Sequence, residues 1–189
     1  MRKKGNNKLT IVLGITGSIA AYKSCDIAST LTQAGCRVIP VLTQAAARFI
    51  TPLGLQAITG NPCYTDMFEP KDIAAWEMHH ISLAEQADIL VIAPASADII
   101  ARAAQGRASD LLSSIILSTN APVLFAPAMN VNMYAHPLTR KNIKTLTGIG
   151  YQFIGPEKGR LACGVEGLGR MSKPADIIER IHHMQHSFP

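Results

Sequence analysis

The first apolar run, Leu9 to Ile15, is unbroken and rich in branched residues, and it ends at Thr16-Gly17-Ser18. A run this short, closed by a glycine turn, predicts a strand buried on both faces. From Ile19 to Ala34 the pattern is helical, and Gly35 is placed to cap the helix C-terminus. Arg37 to Leu42 predicts a second strand. Thr43 is positioned to cap a short helix running to Phe49, and Pro52 opens another that reaches Thr59. Residues 60–79 follow no period and carry Pro62, Pro70 and Trp76, so they read as irregular.

The alternation continues. Asp88 to Ala93 reads as a strand stopped by Pro94, and Ala97–Ala104 and Asp110–Leu117 read as helices on either side of Gly106. Pro122 to Ala126 predicts a strand running into Pro127-Ala128-Met129-Asn130. Pro137 to Leu146 predicts a helix, Tyr151 to Ile154 a short strand, and Pro174 opens a last helix through His183 or so. Gly155 to Met171 holds five glycines and reads as a long functional loop. Alternating strands and helices without a repeat predict an α/β fold with a doubly wound, mostly parallel sheet. Ligands of such sheets bind outside the carboxyl ends of the strands. Thr16–Ser18, Thr43, Pro94–Ser96 and Pro127–Asn130 all fall at such ends, which predicts one shared crevice.

Composition narrows the class. Hydrophobic residues make up 48% of the 189 and charged residues 16%, which excludes intrinsic disorder. The formal net charge is +5, but Arg2, Lys3, Lys4 and Lys8 supply most of it. The excess is a tail effect, and nucleic-acid binding loses its main support. Residues 1–8 read as a flexible basic tail and 9–187 as a single domain. Cys25, Cys36, Cys63 and Cys163 form no C-x-x-C pair and have no histidine at zinc spacing, so no metal site is expected. Cys25, Cys36 and Cys63 read as reduced thiols of a cytoplasmic protein. No apolar run is long enough to cross a membrane. The basic start before Leu9–Ala21 imitates a signal peptide, but Thr10, Gly14, Thr16, Gly17 and Ser18 interrupt the run.

Several segments carry chemistry. Gly14-Ile15-Thr16-Gly17-Ser18 joins a strand to a helix, where free N–H groups and the helix dipole favour a phosphate. The glycine spacing fits neither a dinucleotide fingerprint nor a Walker loop, so a mononucleotide phosphate suits it better, and a plain tight turn is the alternative. The small residues of Pro94-Ala95-Ser96-Ala97-Asp98 would admit a flat ring, although Ser96 and Asp98 also read as ordinary helix caps. His79 and His80, in a strand or turn, point different ways, so at most one serves a given site. His136, His182, His183 and His186 read as helix-end or tail residues. Glycines flank Cys163 as in a mobile flap, and Arg160 and Arg170 bracket it, placed to lower the thiol pKa or to bind an anion. A flexible surface hairpin is the plainer reading.

Five motifs in order then resemble the flavin-containing cysteine decarboxylases. They are Gly14 to Lys23, His80-Ile-Ser-Leu83, Ala93-Pro-Ala-Ser-Ala-Asp98, Pro127-Ala-Met-Asn130 with Met133, and the loop Ala162 to Met171. The likeness is greatest to the branch that decarboxylates 4′-phosphopantothenoylcysteine to 4′-phosphopantetheine in coenzyme A biosynthesis. The resemblance implies a flavodoxin-like, Rossmann-like three-layer α/β/α sandwich, FMN as cofactor, and trimers or dodecamers with flavin at a subunit interface. It makes His80 and Cys163 catalytic, and gives Asn130, Ala162, Gly164, Arg170 and Met171 to the substrate. Gly17, Ser18, Thr43, Phe49, Ala95, Ser96, Ala97, Asp98 and Ala128 are the expected cofactor pocket. Residues 155–171 would close over the substrate. Tyr134 departs from the family's usual tryptophan, and the absence of sequence after Pro189 suggests a decarboxylase without a fused ligase.

The chemistry explains the parts. An N-acylated cysteine cannot form a Schiff base, so its carboxylate needs another electron sink. Oxidation of the thiol carbon to a thioaldehyde provides one, and a flavin suits the two-electron exchange. Loss of carbon dioxide then leaves an ene-thiol, which is reduced again. A peptidyl-cysteine decarboxylase that stops at the ene-thiol is a first alternative, and Cys163 argues against it. A flavin prenyltransferase is a second, disfavoured by Pro127–Asn130. A flavin-fold regulatory binding protein is a third.

Overall fold

The computed structural model describes residues 8–67, 78–160, 164 and 166–187. Five parallel strands form the sheet: β1 (Thr10–Ile15), β2 (Arg37–Leu42), β3 (Ile89–Ala95), β4 (Val123–Pro127) and β5 (Gln152–Phe153). Their spatial order is β2-β1-β3-β4-β5, a doubly wound arrangement with β1 and β3 at its centre. Side chains alternate between two cores, as a pleated strand covered on both faces requires, except at the end of β3, where Ala93 and Ala95 fall in opposite cores. Ile11, Leu13, Val38, Val91 and Leu124 face one core, which α1 (Lys23–Gln33), α2 (Pro52–Thr59) and α8 (Pro174–Ser187) cover with Ile27, Leu31, Leu55, Ile177 and Ile181. Val12, Ile39, Leu90, Ile92 and Phe125 face the other. That core is closed by α3 (His79–Gln86), α4 (Ala97–Ala104), α5 (Leu111–Ser118) and α7 (Pro137–Gly148). The three-layer α/β/α sandwich is therefore as expected.

Details depart from the sequence reading. The helix expected from Ile19 begins as a 3-10 turn, Ile19–Tyr22, before α1. Pro94 does not stop β3. A register shift between Ile92 and Ala95 absorbs the missing N–H, and pairing with β4 resumes at Ala95. Edge strand β2 tolerates Pro40, whose carbonyl accepts from Tyr64 N–H at 3.0 Å. Leu42 N–H donates to the Tyr64 carbonyl at 2.8 Å, so residues 60–67 are partly a cover for that edge. His79 and His80 stand in the first turn of α3, not in a strand or turn. A short helix, α6 (Val131–Ala135), follows Asn130 and carried no clear apolar signal, since none of its residues is buried.

The glycine-rich segment is not all irregular. β6 (Glu157–Arg160) and β7 (Glu166–Arg170) form an antiparallel pair. Met129 N–H donates to the Gly169 carbonyl at 3.0 Å, tying the hairpin to the end of β4. Gly167 permits this approach, because a Cβ there would sit 2.8 Å from Val131 Cγ2. Leu161, Ala162, Cys163 and Val165 lie outside the described residues, as do the tail residues 1–7 and 68–77 with Pro70 and Trp76.

Candidate functional site

The carboxyl ends of β1 and β3 are held together by Thr16. Its Oγ1 donates to the Pro94 carbonyl at 2.7 Å and accepts from Ser96 N–H at 2.9 Å. Thr16 is buried, so both bonds are shielded from water. Ser24 Oγ adds a bond to the Ala93 carbonyl at 2.7 Å, docking α1 on the same strand end. These contacts place two turns, Thr16–Ser18 and Ser96–Asp98, side by side.

A third turn closes on them. A Cβ on Gly17 would lie 2.5 Å from Ala45 Cβ, so only glycine lets the turn after β1 meet the turn after β2. Thr43 Oγ1 accepts from Ala46 N–H at 3.2 Å, and Ser18 Oγ accepts from Ala20 N–H at 3.3 Å. Ser96 caps α4 by accepting from Ile99 N–H at 3.3 Å. The bland reading of Ser96 as a cap is therefore correct, and the residue also lines the crevice. The N–H groups of Gly17, Ser18, Gln44 and Ala45 have no acceptor among the described residues. Four donors from two apposed turns make a cradle for an anion. Gly14 does something else: a Cβ there would strike Leu112 Cδ1 at 2.5 Å, so this glycine serves core packing under α5.

Two adjoining cavities open over these turns, sharing Gly17, Ser96, Ala97 and Met133. The first, about 690 Å³, runs past Thr43, Ala45, Asp66, Asp98 and Asp110. The second, about 680 Å³, runs past Ser18, Tyr22, Lys23, Ala128, Asn130, Arg160, Arg170 and Met171. Asn130 caps α6 by accepting from Asn132 N–H at 2.8 Å. That bond uses Oδ1, the acceptor end of the amide.

The charges divide between the cavities. Arg102 in the first is matched, bonded to Asp98 at 2.9 Å and to Asp110 at 2.8 Å. The second is lined by Lys23, Arg160 and Arg170 and by no carboxylate among the described residues. Burial, and then the Arg170 charge, hold the Lys23 amine below the usual lysine range, against the pull of Glu157 and Asp26. Arg170 Nη2 reaches Glu157 Oε2 only at 3.4 Å, and its buried Nε has no hydrogen-bond partner among the described residues.

The structure thus brings together Gly17, Ser18, Thr43, Ser96, Ala97, Asp98, Ala128, Asn130, Arg170 and Met171. It does not bring in Phe49, which is exposed and lines neither cavity. Ala95 is fully buried and contributes through its backbone, its carbonyl accepting from Ala128 N–H at 3.0 Å. Gly164 is exposed and lines neither cavity, and Ala162 and Cys163 lie outside the described residues. His80 also lines neither cavity. Its Nδ1 is buried without a hydrogen-bond partner among the described residues. Thr16, Tyr22 and Lys23 line the site or organise it without having been singled out as site residues, and Arg160, expected with Arg170 to act on the thiol or an anion, lines it too. Thr16 and Lys23 sit within the turn motif, but a staple and an unpaired cation depend on partners roughly 80 and 150 positions away, beyond local pattern.

The FMN implied by the resemblance fits these residues. The N–H cradle closed by Gly17 and Ala45 suits its phosphate. The small side chains of Ser96, Ala97 and Ala128 leave room beside Met133 for a flat ring.

Residues 2–186 match the Flavoprotein family. The chain is 52% identical over 168 residues to the Coenzyme A biosynthesis bifunctional protein CoaBC of Haemophilus influenzae. That match covers 89% of this chain and 42% of the relative, so the chain spans about two fifths of the curated relative's length. Among solved structures it is similar to a PPC decarboxylase cysteine-to-serine mutant complexed with pantothenoylaminoethenethiol. The TM-score is 0.87 at 31% identity, over 95% of this chain and 100% of that one. It is also similar to the FMN binding protein AtHal3, with a TM-score of 0.85 at 32% identity, over 97% and 100%. The strand order, the crevice at the strand ends and the sequence match agree: the chain belongs to the Flavoprotein family.

Proposed function

We propose that this chain is an FMN-dependent decarboxylase that converts 4′-phosphopantothenoylcysteine to 4′-phosphopantetheine in coenzyme A biosynthesis. The observation that carries the reading is the pairing of an N–H cradle with Asn130 across Ser96, Ala97 and Met133. The likeness to CoaBC and to the PPC decarboxylase supports it. When bound, FMN supplies the acceptor that takes two electrons from the thiol carbon and later returns them.

The residues then divide the work. Asn130 Nδ2 holds the substrate carboxylate until it departs as carbon dioxide. His80 takes the thiol proton during oxidation to the thioaldehyde. Cys163 donates a proton to the ene-thiol, and the segment 155–171 closes over the substrate. One proton is consumed and one carbon dioxide released per turnover, with no net oxidation.

Because His80 lines neither cavity, we assign it to the site of a neighbouring copy in a trimer, which itself can build a dodecamer. Exposed Met78 and Ile81 beside it, and exposed Ile19 and Tyr22 near the cavity, are apolar surface suited to such a contact. No helix among the described residues is long and apolar enough to cross a membrane. Cys25, Cys36 and Cys63 form no disulfide among the described residues, which suits a cytoplasmic enzyme. Anaerobic mixing of the FMN-loaded protein with substrate tests the reading. The visible flavin band should fall and recover as carbon dioxide appears; an unchanged band with no carbon dioxide would contradict it.

A further inference from the structure

We infer that Lys23 and Arg170 form the subsite for the phosphate of the substrate, so that the enzyme recognises its substrate by the end farthest from the reacting carbon. The inference rests on the reaction proposed above. Lys23 is the first residue of α1 and Arg170 the last of β7, so a helix start and a hairpin converge on one wall. Both line the cavity that holds Asn130, and Arg160 lines it too.

These cations are incompletely matched. No ion pair of Lys23 is found among the described residues. Arg170 meets Glu157 through one long contact of 3.4 Å, while the other oxygen of Glu157 accepts from Lys173 N–H at 3.1 Å. Arg160 faces Glu166 across the β6–β7 ladder, yet Glu166 does not line the cavity. Asp26 has a smaller influence on Lys23 than burial, Arg170 or Glu157. Two like charges held together in a half-buried place are unfavourable until an anion arrives. The depressed Lys23 amine agrees with that arrangement.

Arg170 is also held in place. Gly159 lies under its side chain, where a Cβ would come within 3.1 Å of Nη1 and 3.4 Å of Cζ. A pre-set guanidinium beside an ammonium is a good dianion receptor, since charge-assisted bonds are the strong ones. Ile19, Tyr22 and Met133 line the same cavity, giving a branched apolar arm a wall to lie on. The FMN phosphate does not compete for this place, because the cradle of Gly17, Ser18, Gln44 and Ala45 serves it. The other cavity is less suited to a dianion, because Asp66, Asp98 and Asp110 line it beside Arg102 and Arg107, so its carboxylates outnumber its cations.

The test compares 4′-phosphopantothenoylcysteine with its dephosphorylated form on FMN-loaded protein. Lys23→Met should raise KM for the phosphorylated substrate about 10- to 100-fold, leave kcat within about twofold, and leave the dephosphorylated substrate unaffected. Lys23→Arg should restore most of the preference. Equal losses on both substrates, or release of FMN on gel filtration with no change in preference, would overturn the subsite. If the wild-type protein decarboxylates neither substrate, the reaction reading fails, and calorimetry still decides the subsite. Phosphopantothenate should then bind wild type at least tenfold more tightly than pantothenate and lose that advantage in Lys23→Met; equal binding of the two would overturn it.

Discussion

Thr16 and Ser96 are joined by a hydrogen bond of 2.9 Å from the Ser96 N–H to the Thr16 hydroxyl, although 80 residues separate them. The same hydroxyl donates to the Pro94 carbonyl, so one side chain spans the two central strand ends. Thr16→Val keeps the shape and removes both bonds, leaving the Ser96 N–H without its partner. We expect a loss of about 1–3 kcal/mol in urea unfolding and weaker FMN retention, with Thr16→Ser near wild type. Unchanged stability and flavin content in Thr16→Val would remove the staple from the account.

The two glycines of the first motif separate packing from binding. Gly17→Ala drives its methyl into Ala45, parting the two turns of the cradle; we expect FMN to bind at least about tenfold more weakly in a folded protein. Gly14→Ala drives its methyl into Leu112 and Ile92, so it should lower stability by about 1–3 kcal/mol in the apoprotein as well. Flavin titration and denaturant unfolding of both variants check this. Equal effects on flavin affinity would contradict the division.

The sequence pattern makes the sheet and its crevice legible because each strand is a short apolar run closed by a polar turn. Ser96 reads correctly as a cap because capping is local, donor and acceptor lying three residues apart. Thr43, by contrast, accepts from Ala46 N–H ahead of a 3-10 turn, Ala46–Arg48, whose N-cap is Ala45, not of a helix running to Phe49. The α3 helix escapes notice because its first turn holds two histidines and no capping side chain. Phe49 looks like a pocket residue beside Thr43, yet it is exposed, since its facing depends on how the turn packs. The cation pair Lys23–Arg170 is illegible in one dimension, because a helix start meets a hairpin end only in the fold.

Thiol reactivity carries a pH prediction. Burial raises the Cys25 thiol, with Asp26 adding to it, and burial raises Cys36. Folding keeps both protonated, so this contribution to stability is present below the ordinary thiol range and is lost as pH rises through the raised values. Alkylation at pH 8 should therefore modify both more slowly than in urea-unfolded protein, with the gap narrowing as pH rises. Peptide mass mapping after timed alkylation reads this directly; rates equal to those in urea would refute the shift.

The assignment of His80 to a neighbouring copy predicts complementation. His80→Asn and Asn130→Asp should each be inactive while keeping the yellow colour of bound FMN. Mixed, unfolded and refolded together, they should regain activity, because some assembled sites then combine an intact His80 with an intact Asn130. Steady-state assays of the mixture against each variant alone decide this. No recovery, with the oligomer reformed on gel filtration, would place His80 in its own subunit's site.

Cys163 decides how the cycle ends, and the product's mass tests the account most directly. FMN-loaded protein is incubated with 4′-phosphopantothenoylcysteine and the small molecules are weighed by mass spectrometry. The account predicts loss of carbon dioxide alone from the wild type. From Cys163→Ser it predicts loss of carbon dioxide together with two hydrogens, the mass of the stalled ene-thiol. Unchanged substrate with the wild type, or the stalled product from it, would contradict the complete decarboxylation proposed here.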